Sequence, residues 1–430
     1  MSFDPLLQYM GAEELGLAEE GQHSPTIVGD AEEAAVVAEV SELTAVIEEQ
    51  TAEIVQLVDK VEDLEETVED LEESVEGMES MLNSGNFNSI AFSNTYNRAL
   101  RLAGKLGCEY AGDRVGAESM SDAATANLMA RTGIEAIGET LKNWGAKAVA
   151  FIKHIFNTII NFFVSMRSKV DALARREDQL RKRLNGGGKI KDKIKLGGWN
   201  VYVDYANDGL ANASKKDKGG MTGTRNSVDG LAAEAGKVDG MTVAGLKTAY
   251  DSMTSQFKAD AKDFGKYNEK KQGSKDVIVS QRAGVRMSAS FSEPTITSFA
   301  EAATAIRSVS INVMKAPEAK KLSTGETKAK VDKSGLTAAL DGVKAGLAVL
   351  RDDKLASKAT NSTRDQIIGK LNNIKAGDSD KESDVNGKVN VVKATYALVA
   401  KVAAVLDRHA TNRAGAVLDG VAAHLGFGNA

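Results

Sequence analysis

Residues 40–82 read VSELTAVIEEQTAEIVQLVDKVEDLEETVEDLEESVEGMESML, and their spacing decides the fold of the first part of the chain. Val40, Ile47, Ile54, Val61, Val68, Val75 and Leu82 occupy one seam position. Leu43, Gln50, Leu57, Leu64, Leu71 and Met78 occupy the other. Alternating steps of three and four keep these side chains on one narrow stripe of a helix, with Gln50 its sole polar member. β-branched residues at the first position and Leu at the second favour a parallel two-stranded coil, so the partner expected is a second copy of the chain. At ~1.5 Å per residue the seam would be about 65 Å long. Val61 to Glu79 carries ten Asp or Glu and no Lys or Arg. That face is either solvated or a surface for a basic partner.

Working outward, 1–35 is an acidic flexible arm without sustained period, 36–83 the acidic coiled coil, and 84–118 a linker beginning in the turn-rich run NSGNFNSIAFSNTYN (83–97). A short helix is expected over Arg98–Leu106 and another over Ser119–Leu141. Within 119–195, the run Trp144 to Val170 places Leu141, Trp144, Ala148, Phe151, Ile155, Ile159, Phe162 and Met166 on one helical stripe. Lys147, His154, Asn157, Asn161, Ser165 and Ser168 fall on another. Lys153, His154, Asn157 and Asn161 interrupt the run and argue against a spanning helix. A core helix is the expectation, with a membrane or subunit surface over 144–170 as the alternative. The helix should end at Gly186-Gly187-Gly188. Segment 196–293 reads as mixed α/β, with strands at Trp199-Val201-Val203-Tyr205 and Val285-Met287-Ala289-Phe291. Region 294–430 reads as a helical bundle with helices at Ile296–Met314, Leu336–Leu350, Thr363–Ile374, Val389–His409 and Ala414–Leu425. Only 4 Pro in 430 residues suits such a chain. The fold expected is mainly α: a parallel coiled coil, then a helical-bundle body with a small β element.

Motifs that carry chemistry are missing. There is no phosphate-binding G-x-x-x-x-G-K-[ST], no G-x-S-x-G, and no paired His for zinc among His23, His154, His409 and His424. The acidic run Asp378–Asn386 lacks the closing Glu of a calcium loop. The single Cys108 rules out an internal disulfide. No enzyme activity, metal or cofactor is expected. The amino terminus lacks a signal-peptide pattern, so synthesis in the cytoplasm is expected.

The net charge of −6 conceals a division: residues 1–118 sum to −22 and the remainder to +16. Basic residues concentrate at 167–195, where Arg175, Arg176, Arg181, Lys182, Arg183, Lys189, Lys191, Lys193 and Lys195 form a candidate DNA-contact set. Nothing there reads base edges, so any contact would be non-specific and made to phosphates.

The charge changes sign beside Arg114-Val115-Gly116-Ala117-Glu118-Ser119. A small residue, any residue and then Glu resembles the site cut by prohead proteases of large tailed bacteriophages. Leu17-Ala18-Glu19 resembles the Leu-x-Glu form of T-even phages, and Ser74-Val75-Glu76 fits the first pattern too. The layout as a whole resembles the internal head (prohead core, inner-head virion) proteins of such phages. That resemblance implies an acidic propeptide, about 1–118, cut between Glu118 and Ser119 with Glu19 as a further site. It implies as partners the prohead protease, core and capsid proteins and packaged DNA, and a final place in the virion head. Two other readings are a membrane-active protein ejected with the genome and a bacterial coiled-coil scaffold or adaptor.

Overall fold

The structure, a computed structural model, describes residues 31–83, 88–105, 123–207, 209–215, 221–292, 295–352, 355–356, 360–376 and 382–426. Glu19, Cys108, Glu118 and Ser119 lie outside the described residues, as does most of the expected arm.

Among the described residues the first elements are three helices: α1 (Ala31–Asn83), α2 (Ser89–Lys105) and α3 (Ala123–Asn185). Helix α2 starts inside the run read as a linker. The Asn88 side chain provides its start, with Oδ1 accepting from the backbone N–H groups of Ile90 and Ala91 at 3.1 Å each. Phe92, Tyr96, Ala99, Leu100 and Ala103 then repeat at helical spacing and are buried. Helix α3 ends at the three glycines as expected. Gly187 has φ +88°, a conformation costly for residues with a Cβ, while Gly186 N–H reaches the Lys182 carbonyl at 2.8 Å.

Next come β1 (Lys193–Lys195), α4 (Asn200–Val203), α5 (Gly209–Lys215), α6 (Thr222–Ala235) and α7 (Val243–Phe264). Strands β2 (Lys266–Gln272), β3 (Lys275–Arg282) and β4 (Val285–Ser292) lead to α8 (Phe299–Arg307) and β5 (Ser310–Lys315). After α9 (Ala319–Leu322) and β6 (Glu326–Lys328), three helices close the chain: α10 (Lys333–Arg351), α11 (Asn361–Ala376) and α12 (Glu382–His424).

The protein is mostly helical with a small antiparallel sheet, ordered β2-β3-β4-β5. Strand β4 alternates as read from its sequence, with Val285, Met287, Ala289 and Phe291 buried. The other expected strand, Trp199 to Tyr205, is instead a helical turn followed by Asp204 at φ 50°. Asn200 locks that turn: its Nδ2 donates to the Leu322 carbonyl and its Oδ1 accepts from Tyr205 N–H, both at 2.7 Å. The apolar residues alternate because Val201 packs with Val285 and Ala319, whereas Trp199, Val203 and Tyr205 enter a different core. The helix expected over Ile296–Met314 is also corrected. A capping box at Ser298 and Glu301 starts a helix that stops at Arg307. Ser310–Lys315 then pairs with β4, carrying the sheet past position 293.

Helix α12 runs through the middle and does not break near residue 410. Thr411 Oγ1 donates to the Asp407 carbonyl within the helix, and buried Arg413 donates to the Ala213 carbonyl of α5 at 2.8 Å, so these two polar side chains find partners without breaking the helix. Val391 to Leu406 is buried on nearly every face, which suits a helix surrounded by others. Its segment Val385–His424 is long and apolar enough to cross a membrane, but 89% of the apolar window is buried in the protein. The described members of the α3 stripe (Ile155, Ile159, Phe162 and Met166) are core residues as well. Both α3 and α12 run through two apolar cores. Ile152–Met166 and Val389–Leu406 lie in the first, Val170–Leu184 and Ala416–Leu425 in the second.

Helix α1 packs on this body. Ile47, Ile54 and Leu57 from its seam are buried in the first core with Ile152, Ile159 and Phe162. Within the single chain these seam residues pack on the body, while the parallel pairing with a second copy expected from the seam concerns two chains. The two helices run antiparallel, since Glu39 pairs with Arg175 while Glu48 lies near Lys169. Tethering both helices in one polypeptide raises their effective concentration over that of a second copy, which favours this arrangement.

Candidate nucleic-acid interface

The basic residues singled out in the sequence separate into two groups once folded. Three on α3 are held by acids of this chain. Arg175, about half exposed, meets Glu39 of α1 at 2.5 Å. Arg176 is buried and pairs with Asp419 of α12 at 2.7 Å. Arg181 is held by Glu177 at 2.6 Å and by Asp341 of α10 at 2.8 Å. Burial raises the Glu177 carboxyl above the usual carboxylate range, against the pull of Arg181. Buried Arg176 thus ties α3 to the partly exposed Asp419 of α12, and removing Asp419 would strand the guanidinium charge in the core. It is corrected from a surface contact to a structural one.

The second group is exposed: Lys182 and Arg183 on the last turn of α3, then Lys189, Lys191, Lys193 and Lys195 along the extended segment after the glycines. This segment is pinned at several points. The Lys191 N–H donates to the His424 carbonyl at 2.9 Å, and β1 pairs antiparallel with β6. Ile194 points into the second core while Lys193 and Lys195 flank it outside. His424 anchors the floor beneath. Its Nε2 lies 2.9 Å from the Tyr205 hydroxyl and its Nδ1 2.6 Å from the Gly420 carbonyl, and burial holds its pKa below the ordinary histidine value.

The β1–β6 ladder also recruits residues that sequence proximity did not reveal. Lys193 faces Lys328 directly and Lys195 faces Glu326. Exposed Lys330 follows, its backbone N–H donating to the Tyr205 hydroxyl at 2.8 Å. Like charges directly opposite on a ladder repel, so the Lys193–Lys328 pair lowers stability unless an anion lies over it. The only sequence signal for Lys328 was its place in a lysine-rich loop. The pairing of two three-residue strands that distant is set by tertiary packing.

These features describe a class: a mainly helical protein with an acidic helix laid along one side of its body and an exposed basic edge at the end of its longest helix. Over residues 42–430 the chain matches the family of phiKZ-like phage internal head proteins, and it belongs to that family. It is accordingly an internal head protein of a large phage, located inside the phage head. The matched region begins within α1, so it includes most of the acidic helix. Comparison with curated proteins and with solved structures gave no match.

Proposed function

We propose that this internal head protein is a non-enzymatic structural component that contacts packaged DNA without sequence preference. Its acidic N-terminal segment, about 1–118, would be removed by the prohead protease between Glu118 and Ser119. The observation carrying the DNA contact is the exposed basic edge, where the fold sets Lys193 against Lys328 and adds Lys189, Lys191, Lys195 and Lys330. On β1 Lys193 and Lys195 lie two residues, ~6.6–6.8 Å, apart along the strand on the same outer face, far enough for their side chains to reach different phosphates. The fold also supports a role for the acidic segment: Glu39 neutralises Arg175, on the same helix that leads to this edge.

The test is fluorescence anisotropy with labelled duplexes of unrelated sequence, titrated across salt. Replacing Lys189, Lys191, Lys193 and Lys195 together with Gln should weaken binding to all duplexes alike. It should also reduce the slope of log affinity against log salt by up to about 3–4, at ~0.9 per phosphate contact. An unchanged slope would remove the edge from the interface. Mass spectrometry of purified particles tests processing, with a terminus at Ser119 expected and intact chain refuting it.

A further inference from the structure

Away from the basic edge, a cleft of about 130 Å³ opens between α1, α4, the β4–β5 side of the sheet and α12. It is much larger than the space a single water needs. Glu48, Tyr202, Lys315, Arg408, His409 and Asn412 supply its polar lining. The His409 ring lies between Tyr202 and Phe264, with centroids 6.1 and 5.5 Å away. Both of its ring nitrogens are shut off from bulk solvent and have no hydrogen-bond partner among the described residues. A buried imidazole with neither nitrogen satisfied is costly, and native proteins rarely leave one so without a ligand or water beside it.

The chemistry of the lining selects the ligand. Arg408 and Lys315 bring two positive charges, and Lys169 stands behind them, its Nζ donating to Asn412 Oδ1 at 2.8 Å. The lining's one carboxylate is Glu48. The crowding of cations is felt by its neighbours. Burial, followed by Arg413, Arg408, Arg282 and Arg225, holds His409 down to about 3, so its ring is neutral and offers one N–H. Burial and Arg408 also lower Lys169 to about 8, against the pull of Glu48. Such a lining is rich in donors and positive charge, which repels metal cations and suits an oxyanion that only accepts hydrogen bonds.

We propose that this cleft is a binding site for a phosphate-class oxyanion, and that Glu48 on the acidic helix is its built-in competitor. The Glu48 carboxylate lines the same cleft and its charge acts on Lys169 behind it, so it offsets positive charge that an incoming phosphate would otherwise meet. Any event that lifts α1 from the body would withdraw that carboxylate and strengthen the site. The proposal does not require α1 to be removed, and it concerns residues separate from the basic edge.

Isothermal titration calorimetry of the full chain with inorganic phosphate, in low-salt buffer near neutral pH, tests it. The wild type should bind weakly, on the order of millimolar. Glu48→Gln should bind roughly tenfold tighter, as expected for removing the carboxylate of the cleft lining. Arg408→Gln and Lys315→Gln should each weaken binding several-fold, and Arg408→Gln should cancel the gain of Glu48→Gln. Both Glu48 and Lys315 are exposed at the rim, so those variants leave the core intact, and circular dichroism verifies this. The proposal is overturned if folded Glu48→Gln shows no phosphate binding, which would leave the cleft to water. It is equally overturned if the Lys315→Gln and Arg408→Gln affinities match the wild type. Displacement of phosphate from Glu48→Gln by a short duplex would assign the site to nucleic-acid backbone, and no displacement would assign it to the free ion. The fourfold lysine variant of the basic edge should keep its phosphate affinity, so failure here leaves the DNA reading standing.

Discussion

Ile54→Ala separates the two ways in which the acidic helix can bury its seam. Ile54 is 0% exposed and sits in the first core with residues of α3. The substitution removes three carbons. At ~0.8 kcal/mol per buried methylene this loses about 2.4 kcal/mol, and incomplete closure of the cavity adds roughly 1. The better helix propensity of Ala returns a few tenths, leaving a loss of about 3 kcal/mol. Native-state hydrogen exchange reads this directly: amide opening in α1, and in the part of α3 it covers, should increase on the order of 100-fold. The effect should not change with protein concentration, because the contact lies within one chain. A coil between two chains behaves differently, since each tenfold dilution would lower its stability by about 1.4 kcal/mol. A loss that grows on dilution, or one below about 0.5 kcal/mol at all concentrations, would refute the packing of α1 on its own body.

Gln50→Leu tests the one polar seam position: its Oε1 is buried with no hydrogen-bond partner among the described residues, so the change should stabilise by about 1 kcal/mol in urea melts, and a loss would show that the amide is satisfied. Gly342→Ala should destabilise by about 1–3 kcal/mol, because a Cβ there would lie 2.2 Å from Ser214 Oγ and 3.0 Å from the Ser214 backbone carbon, which cannot swing away. Acid should unfold the protein early. His409 titrates at about 3 when folded and near 6.5 when unfolded, so the unfolded state binds more protons between these values. Its contribution is complete above about pH 6.5 and is lost as pH falls toward 3, at up to about 1.4 kcal/mol per pH unit. His424 is shifted in the same direction. His409→Gln should flatten the stability profile over that window, and an unaltered slope would refute the assignment.

The helical class was legible because seam and stripe patterns repeat over many turns, and α1, α3, α10 and α11 all appear where periodicity placed them. What periodicity cannot convey is the partner. The same seam positions that would zip two chains together serve equally well against α3 of the same chain. Short segments misled for a related reason. Trp199 to Tyr205 alternates like a strand because its apolar residues serve two different cores, whereas Lys266–Gln272 has no apolar alternation and becomes a strand only by pairing with β3 at the sheet's edge. Of the candidate site, the exposed lysines after the glycines could be read from charge density. The neutralised status of Arg175, Arg176 and Arg181 could not, because their acids come from positions 39, 419 and 341 as well as from neighbouring Glu177. Lys328 was invisible for the same reason.

The burial of Ile47, Ile54 and Leu57 among residues of α3 has a consequence for processing. Severing the backbone after Glu118 would leave the acidic helix still wedged in the body, gripped by oily contacts that a protease never touches. On the proposed cut, scission and departure would be separate events with separate clocks. The first would follow the enzyme, while the second would wait on whatever pulls the helix free, and the groove it vacates would be greasy until something else settles there.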